Sequence, residues 1–175
     1  VKKIQDLPRV LKEAFYIARS GRPGPVVIDI SKDVFNDKIA YEYPKEVKLR
    51  GYSPIFAGDE TILDVVVAKM KAAKKPLLFV GGGINISDTS VLLRKIVAQT
   101  GIPVISSLMG LGCIADDDVQ YLGMVGMHGT YAGNMATTQC DLLLGIGVRF
   151  DDRVTGLVKD FAPNAQIVHF DIDPA

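Results

Sequence analysis

The sequence predicts a doubly wound α/β fold, with a mainly parallel sheet and helices on both faces. Short runs of three to five mostly apolar residues alternate along the chain with segments of helical periodicity. Nearly continuous apolar runs are typical of parallel strands buried on both faces. Most of them are followed by a glycine-rich stretch that predicts a tight loop.

The first segment predicts a helix and then a strand. Asp6 stands where a cap is expected, apolar residues follow at helical spacing, and Ser20-Gly21 closes the helix. Val26–Ile30 predicts a short buried strand. Periodicity is lost from about Ser31 to Pro54, a charged and proline-punctuated stretch that predicts a linker.

After this stretch, helices and strands alternate regularly. Asp88 or Thr89 is expected to cap the second helix, and Gly101 to end it. The predicted helices cover about 59–73, 89–99 and 130–139, and the predicted strands are Leu77–Val80, Val104–Ser106, Leu142–Ile146 and Ile167–Phe170.

The composition excludes several classes of function. Twenty basic and twenty acidic side chains cancel, so no basic surface for nucleic acid or anionic membrane is expected. No apolar run approaches the ~20 residues needed to cross a bilayer, and no signal peptide is expected. Cys113 and Cys140 lack metal-ligand spacing and are expected to be free, mostly buried thiols. We therefore expect a cytoplasmic globular protein without nucleic-acid or membrane partners.

The loops after the strands are the expected ligand site, because ligands of open parallel sheets bind beyond the carboxyl ends of the strands. Glycine lets a backbone approach a phosphate closely, and a helix start behind it offers N–H donors. The triplet Gly81-Gly82-Gly83 alone is weak evidence, since such triplets are more often plain turns. It is neither a Walker loop nor a GxGxxG fingerprint.

Arg149 is the most informative residue of these loops. It could hold a pyrophosphate as a forked donor, or it could pair with Asp151 or Asp152 on the surface. Asp171 could likewise accept a ribose hydroxyl or cap a helix.

The other polar residues offer no catalytic group. His169 is expected to be structural, His128 to contact a ligand or complete a turn, and Asp116–Asp118 to form a solvated turn. We predict neither a catalytic residue nor a metal site in these 175 residues.

Three motifs carry a family resemblance. GMVGMHGTYAGNMA, GVRFDDRVTG and HFDIDPA, in this order, resemble the large subunit of acetolactate synthase, a thiamine-diphosphate enzyme family. The opening IQDLPRVLKEAFYIARSGRPGPVVIDISKDV is similar to the end of that family's pyrimidine-binding domain. The resemblance implies three parts: 1–35 from the pyrimidine-binding domain, 36–54 as a linker, and 55–175 as a central FAD-binding domain truncated at its C-terminal end.

The resemblance also implies an activity for the parent enzyme. Two pyruvates, or pyruvate and 2-oxobutanoate, would condense with loss of carbon dioxide in branched-chain amino-acid synthesis. Thiamine diphosphate and magnesium would perform the carbon chemistry. The family's activating glutamate and its GDG…N motif have no counterpart in these residues, so the isolated chain is expected to be inactive. The parent is expected to be a homo-oligomer, and the resemblance leaves open whether a regulatory small subunit binds it.

The FAD contacts implied by the resemblance lie on the predicted loops. They are Gly81, Gly82, Gly83, Ser107, Leu108, Met109, Gly126, Met127, His128, Gly129, Gly147, Val148, Arg149, Asp151, Arg153, Val154, Asp171 and Ile172. Two alternatives stay open: a related thiamine-diphosphate carboligase or decarboxylase, and a stand-alone nucleotide-binding module.

Overall fold

The computed structural model describes residues 1–173, and these form two compact units. One unit contains Val1–Gly58 together with the residues from Ile172 onward, and the other contains Asp59–Asp171. None of the described helices is both long and apolar enough to cross a membrane.

The first unit is built around one amphipathic helix. A 3-10 turn at Ile4–Asp6 leads into α1 (Leu7–Arg19), and α2 (Lys32–Asn36) follows after an extended stretch. The Asp6 carboxylate does not cap α1; it pairs with the Arg9 guanidinium at 3.2 Å. At the other end, the Ser20 hydroxyl lies 2.9 Å from the Tyr52 hydroxyl and ties the helix end to a distant loop.

The buried strand predicted at Val26–Ile30 is absent: the segment is neither a strand nor buried. The segment is extended but has no strand pairing, and Val27 is 92% exposed. Apolar side chains become buried only where a second surface covers them, and the described part of this unit offers no neighbouring strand. Within the stretch from Ser31 to Pro54, α2 buries Val34.

The second unit is a five-stranded sheet. Its strands are β1 (Pro76–Val80), β2 (Val104–Ser106), β3 (Tyr121–Met124), β4 (Leu142–Ile146) and β5 (Gln166–Phe170). The order is β3-β2-β1-β4-β5, and every neighbouring pair is parallel. Four of these strands were predicted; β3 was not.

Helices cover both faces of this sheet. They are α3 (Leu63–Ala72), α4 (Gly82–Ile86), α5 (Ser90–Thr100), α6 (Tyr131–Gln139) and α7 (Asp152–Thr155). Gly101 ends α5 in the left-handed conformation, as predicted. The predicted doubly wound α/β fold is confirmed.

Alternate residues of β1 enter two separate cores, as the pleat requires. Leu78 and Val80 pack with Val66 of α3 and Leu93 of α5 on one face. Leu77 and Phe79 pack on the opposite face, with Cys140 directly after α6. The loops that leave the sheet are therefore anchored in two layers of packed side chains.

The two cysteines are free and buried, as predicted. Burial raises the pKa of the Cys140 thiol from 9.0 to about 11. At pH 8 this shift lowers the thiolate fraction about a hundredfold. We therefore expect iodoacetamide to alkylate the native protein at Cys140 at least about a hundredfold more slowly than the unfolded protein. Peptide mapping after timed labelling measures this, and equal rates in both states would contradict the burial.

Candidate functional site

The order of the strands places the site. The chain runs outward from β1 to β2 and β3, and then crosses back to β4 on the other side of β1. The strand order therefore reverses between β1 and β4, which is where open α/β sheets bind their ligands. The loops that follow these two strands begin at Gly81 and Gly147.

These two loops touch each other through their glycine backbones. A Cβ on Gly81 would lie 2.4 Å from the carbonyl oxygen of Gly147, and one on Gly83 would lie 2.5 Å from its Cα. The Gly81 N–H donates to Ile146 O at 3.1 Å, and the Gly83 N–H donates to Gly147 O at 2.8 Å. Gly81 and Gly83 thus shape the site by letting two loops meet, while both of their N–H groups are already engaged.

The loop after β2 joins the same edge. A Cβ on Gly82 would lie 3.0 Å from the Cβ of Met109. The Asn85 amide donates to Met109 O at 2.9 Å and to Leu111 O at 3.1 Å, and so ties α4 to this loop. Leu108 and Met109 are therefore held on a fixed backbone while their side chains stay exposed.

The loop after β3 reaches across to the loop after β4, although the two strands are not neighbours. The Met127 N–H donates to Arg153 O at 3.0 Å, and a Cβ on Gly126 would lie 2.6 Å from the same oxygen. Met127 and His128 are exposed, whereas Gly129 packs against the backbone of Met124. Four loops therefore converge on one edge, as the sequence predicts.

Arg149 and Asp151 form an ion pair on this edge. Their side chains lie 2.9 Å apart, and 62% of the Arg149 side chain is exposed. The hydrogen bond from Arg149 is the main reason that the pKa of Asp151 lies below its ordinary value. Asp151 also caps α7, accepting from the Arg153 N–H at 3.1 Å. The surface pairing considered for Arg149 is thus present.

Two other predicted residues of the loop after β4 point their side chains inward. Val148 is 2% exposed and belongs to the core beneath the sheet edge, and Val154 packs against the same core. Val148 therefore supports the loop from beneath and is not itself open to the surface. Its carbonyl oxygen lies 2.7 Å from His169 Nε2, so His169 steadies the start of this loop.

Asp171 lies directly after β5. Its carboxylate is 3.6 Å from His169 Nε2, and it does not cap a helix among residues 1–173. Ile172, the last predicted residue, belongs to the first unit and is 42% exposed. Ser107 precedes the short 3-10 turn at Leu108–Gly110.

Residues 1–173 contain no cluster of histidine, cysteine or acidic side chains that could hold a metal ion. Asp116–Asp118 form the predicted turn, with Asp118 Oδ1 accepting from the Gln120 N–H at 2.9 Å. A cavity of about 330 Å³ lies between α6 and α7 of the second unit. Of the predicted FAD contacts, Val154 alone lines this cavity.

Sequence reasoning missed the polar residues that hold the loops in place: Asn85, Thr130, Asn134 and the loop-fixing role of His169. One signal was available. Asparagine is unfavourable inside a helix unless its side chain bonds elsewhere, and Asn134 lies in α6.

The fold and its edge define a doubly wound α/β domain whose loops are arranged for a ligand at the strand-order reversal. The family model described as "Thiamine pyrophosphate enzyme, central domain" matches residues 63–175, and the chain belongs to this family. The three motifs predicted a narrower group within this family, the large subunit of acetolactate synthase. Similar proteins confirm that resemblance.

The similar proteins are acetolactate synthases. The large subunit from Haemophilus influenzae is 51% identical over 176 residues, covering 99% of this chain and 31% of that protein. The isozyme 3 large subunit from Escherichia coli is 44% identical with the same coverage of both chains. The chloroplastic acetolactate synthase 2 of Nicotiana tabacum is 48% identical, covering all of this chain and 26% of that protein. The chain thus spans less than a third of these relatives.

Proposed function

We propose that this chain is the FAD-binding central part of an acetolactate synthase large subunit. The parent would condense two pyruvates, or pyruvate with 2-oxobutanoate, with decarboxylation to a 2-acetohydroxy acid. The observation that supports FAD binding is the convergence of four loops at the strand-order reversal, with Arg149 and Arg153 on the loop after β4. Those loops carry the motifs on which the resemblance to this family rests.

The residues at this edge fit the two chemical parts of a flavin dinucleotide. Arg149 offers a mostly exposed guanidinium, and such a group binds phosphate oxygens through paired, charge-assisted hydrogen bonds. Leu108, Met109 and Met127 are each more than 60% exposed and offer apolar contact to flat rings. Asp171 is the group suited to accept a bond from a ribose hydroxyl.

The protein contributes binding and orientation here. Gly82, Ser107 and the loop from Gly126 to Gly129 would line the cofactor beside these residues, and Val148 would support them from the core beneath. FAD in this family is not consumed by net redox turnover, so it would act as a bound structural group. Thiamine diphosphate with magnesium would supply the carbanion chemistry from outside these 175 residues.

The remaining assignments follow the same proposal. Residues 1–35 would end the pyrimidine-binding domain, 36–54 would link, and 55–175 would form most of the central domain. The parent would be a cytoplasmic homo-oligomer acting on 2-oxo acids, and the proposal leaves open whether a regulatory small subunit binds it.

The proposal is tested by flavin content and turnover. We expect the purified full-length protein to show the flavin absorbance bands and to form acetolactate from pyruvate with thiamine diphosphate, magnesium and FAD. Residues 1–175 alone should give no product above a heat-killed control, because they hold neither a GDG…N motif nor an activating glutamate. A full-length protein without flavin, or a fragment with turnover, would contradict the proposal. Flavin without synthase activity would favour a related carboligase or a binding module.

A further inference from the structure

Asn134 makes an unusual pair of contacts with the loop after β3. Its Oδ1 accepts from the Gly126 N–H at 2.9 Å, and its Nδ2 donates to the Gly126 carbonyl at 3.0 Å. One side-chain amide therefore satisfies both backbone groups of a single residue, as a neighbouring strand would. Two bonds to one residue fix the orientation of its backbone.

Gly126, the residue that Asn134 holds, has a backbone conformation that needs such support. Gly126 has a φ of +108°, a conformation that only glycine adopts readily, and glycine is also the most mobile residue when unrestrained. Asn134 lies in the first half of α6, so its two hydrogen bonds, here called the Asn134 clamp, attach the loop to a helix packed on the sheet. Thr130, just before α6, ties the same loop to the Leu122 and Met124 carbonyls.

A further hydrogen bond connects the loop held by the Asn134 clamp to the loop after β4. Met127, the neighbour of Gly126, donates its N–H to Arg153 O at 3.0 Å. Arg153 is in α7, whose cap, Asp151, pairs with Arg149. A continuous series of bonds therefore runs from Asn134 through Gly126, Met127 and Arg153 to the arginine-bearing loop. The strands of these two loops are separated by β2 and β1, so the sheet does not set the distance between them.

We propose that Asn134 is a positioning residue that locks the Met127–His128 loop onto the Arg149–Arg153 loop and so preorganises the cofactor edge. This inference rests on the proposed function for its effect on flavin, while its effect on the loops is independent of any ligand. Loops that are already fixed lose less conformational freedom when a ligand binds, and affinity rises accordingly.

The test uses three variants of the full-length protein. Asn134→Leu removes both bonds at similar size. Asn134→Asp keeps an acceptor for the Gly126 N–H but places a carboxylate oxygen against the Gly126 carbonyl. Thr138→Ala is the matched control, because Thr138 lies one turn later on α6 and lines the cavity between α6 and α7 together with Asn134. Its hydroxyl donates to the Asn134 carbonyl within the helix and not to the loop.

Hydrogen–deuterium exchange without added flavin is the first readout. In both Asn134 variants we expect exchange in 124–129 and 151–156 to rise, by about tenfold where one side-chain hydrogen bond is lost and by up to about a hundredfold where both are lost. Exchange in α5 should stay at the wild-type level in both Asn134 variants. In Thr138→Ala, exchange in 124–129 and 151–156 should also stay at the wild-type level. Unchanged exchange in 124–129 overturns the proposal, as does an equal rise throughout the domain.

FAD titration is the second readout, and we expect about tenfold weaker binding in both Asn134 variants. Wild-type affinity in a variant whose loops exchange faster overturns the link to the cofactor. If the wild-type protein itself binds no FAD, the proposed function fails, and the exchange measurement alone still decides whether Asn134 positions the loops.

Discussion

Gly81→Ala should destabilise the protein strongly, because a methyl group at this position meets backbone atoms of the neighbouring loop. The new Cβ would lie 2.4 Å from Gly147 O and 2.6 Å from the Cα of Val148. These are backbone atoms of a loop held on the sheet, so neither can move aside as a flexible side chain would. Overpacking of this kind costs about 3 kcal/mol, which at about 2.1 cal/mol/K per residue corresponds to a melting temperature roughly 10–15 °C lower for the unit Asp59–Asp171. Thermal denaturation followed by circular dichroism measures it.

The substitution separates sterics from backbone preference. Gly81 has a φ of −127°, which alanine adopts freely, so the loss would come from the contact alone. Gly58→Ala is the matched control, because a Cβ there would meet no atom within 4 Å. The control should melt at or slightly above the wild-type temperature, since alanine restricts the unfolded chain. A Gly81→Ala protein that melts with the control would show that the two loops do not meet as described.

The sheet was largely predictable from the sequence because its strands carry their own signal. Leu77–Val80 and Leu142–Ile146 are apolar without interruption and lie at the centre of the sheet, where both faces are covered. The missed strand, β3, shows the limit of that signal. It lies at an edge, its four residues are only half-buried, and Gly123 within it suggests a loop.

Val26–Ile30 fails for the opposite reason. Four of its five residues are apolar, yet Val27 is 92% exposed and no strand within residues 1–173 pairs with it. A strand is defined by its neighbours, and a local apolar pattern contains no information about which neighbours are present. Burial of this segment would require a surface beyond the described residues of its unit.

The convergence of the loops was predictable from topology, but the contacts between them were not. Parallel strands bring their carboxyl ends to one edge whatever the loops contain. The spacing between Gly126 and Arg153 depends instead on single bonds, such as those of Asn134 and Met127, between residues far apart in the chain. The sequence alone also left open whether Arg149 pairs with Asp151, because a surface pair and a phosphate ligand need the same residues.

Arg149→Ala should weaken FAD binding by about one to two powers of ten with little effect on folding. A charge-assisted hydrogen bond to a phosphate contributes roughly 1.5–3 kcal/mol, whereas an exposed ion pair contributes about 0–1 kcal/mol. The pair with Asp151 is exposed on the arginine side, so Arg149 could exchange it for a phosphate with a net gain. Asp151 would remain engaged as the cap of α7, which keeps the loop in place.

Two further variants separate the role of Arg149 from a surface role. Arg149→Lys keeps the charge but loses the forked donor, so it should bind FAD with intermediate affinity. Asp151→Asn can still cap α7 while it frees Arg149 from the charged pair, so FAD affinity should be equal or tighter. FAD titration of the full-length variants, with a melting curve for each, compares them directly. An Arg149→Ala protein with wild-type affinity would make the ion pair with Asp151 the whole role of this arginine, and the phosphate contact would then have to come from another group at the same edge.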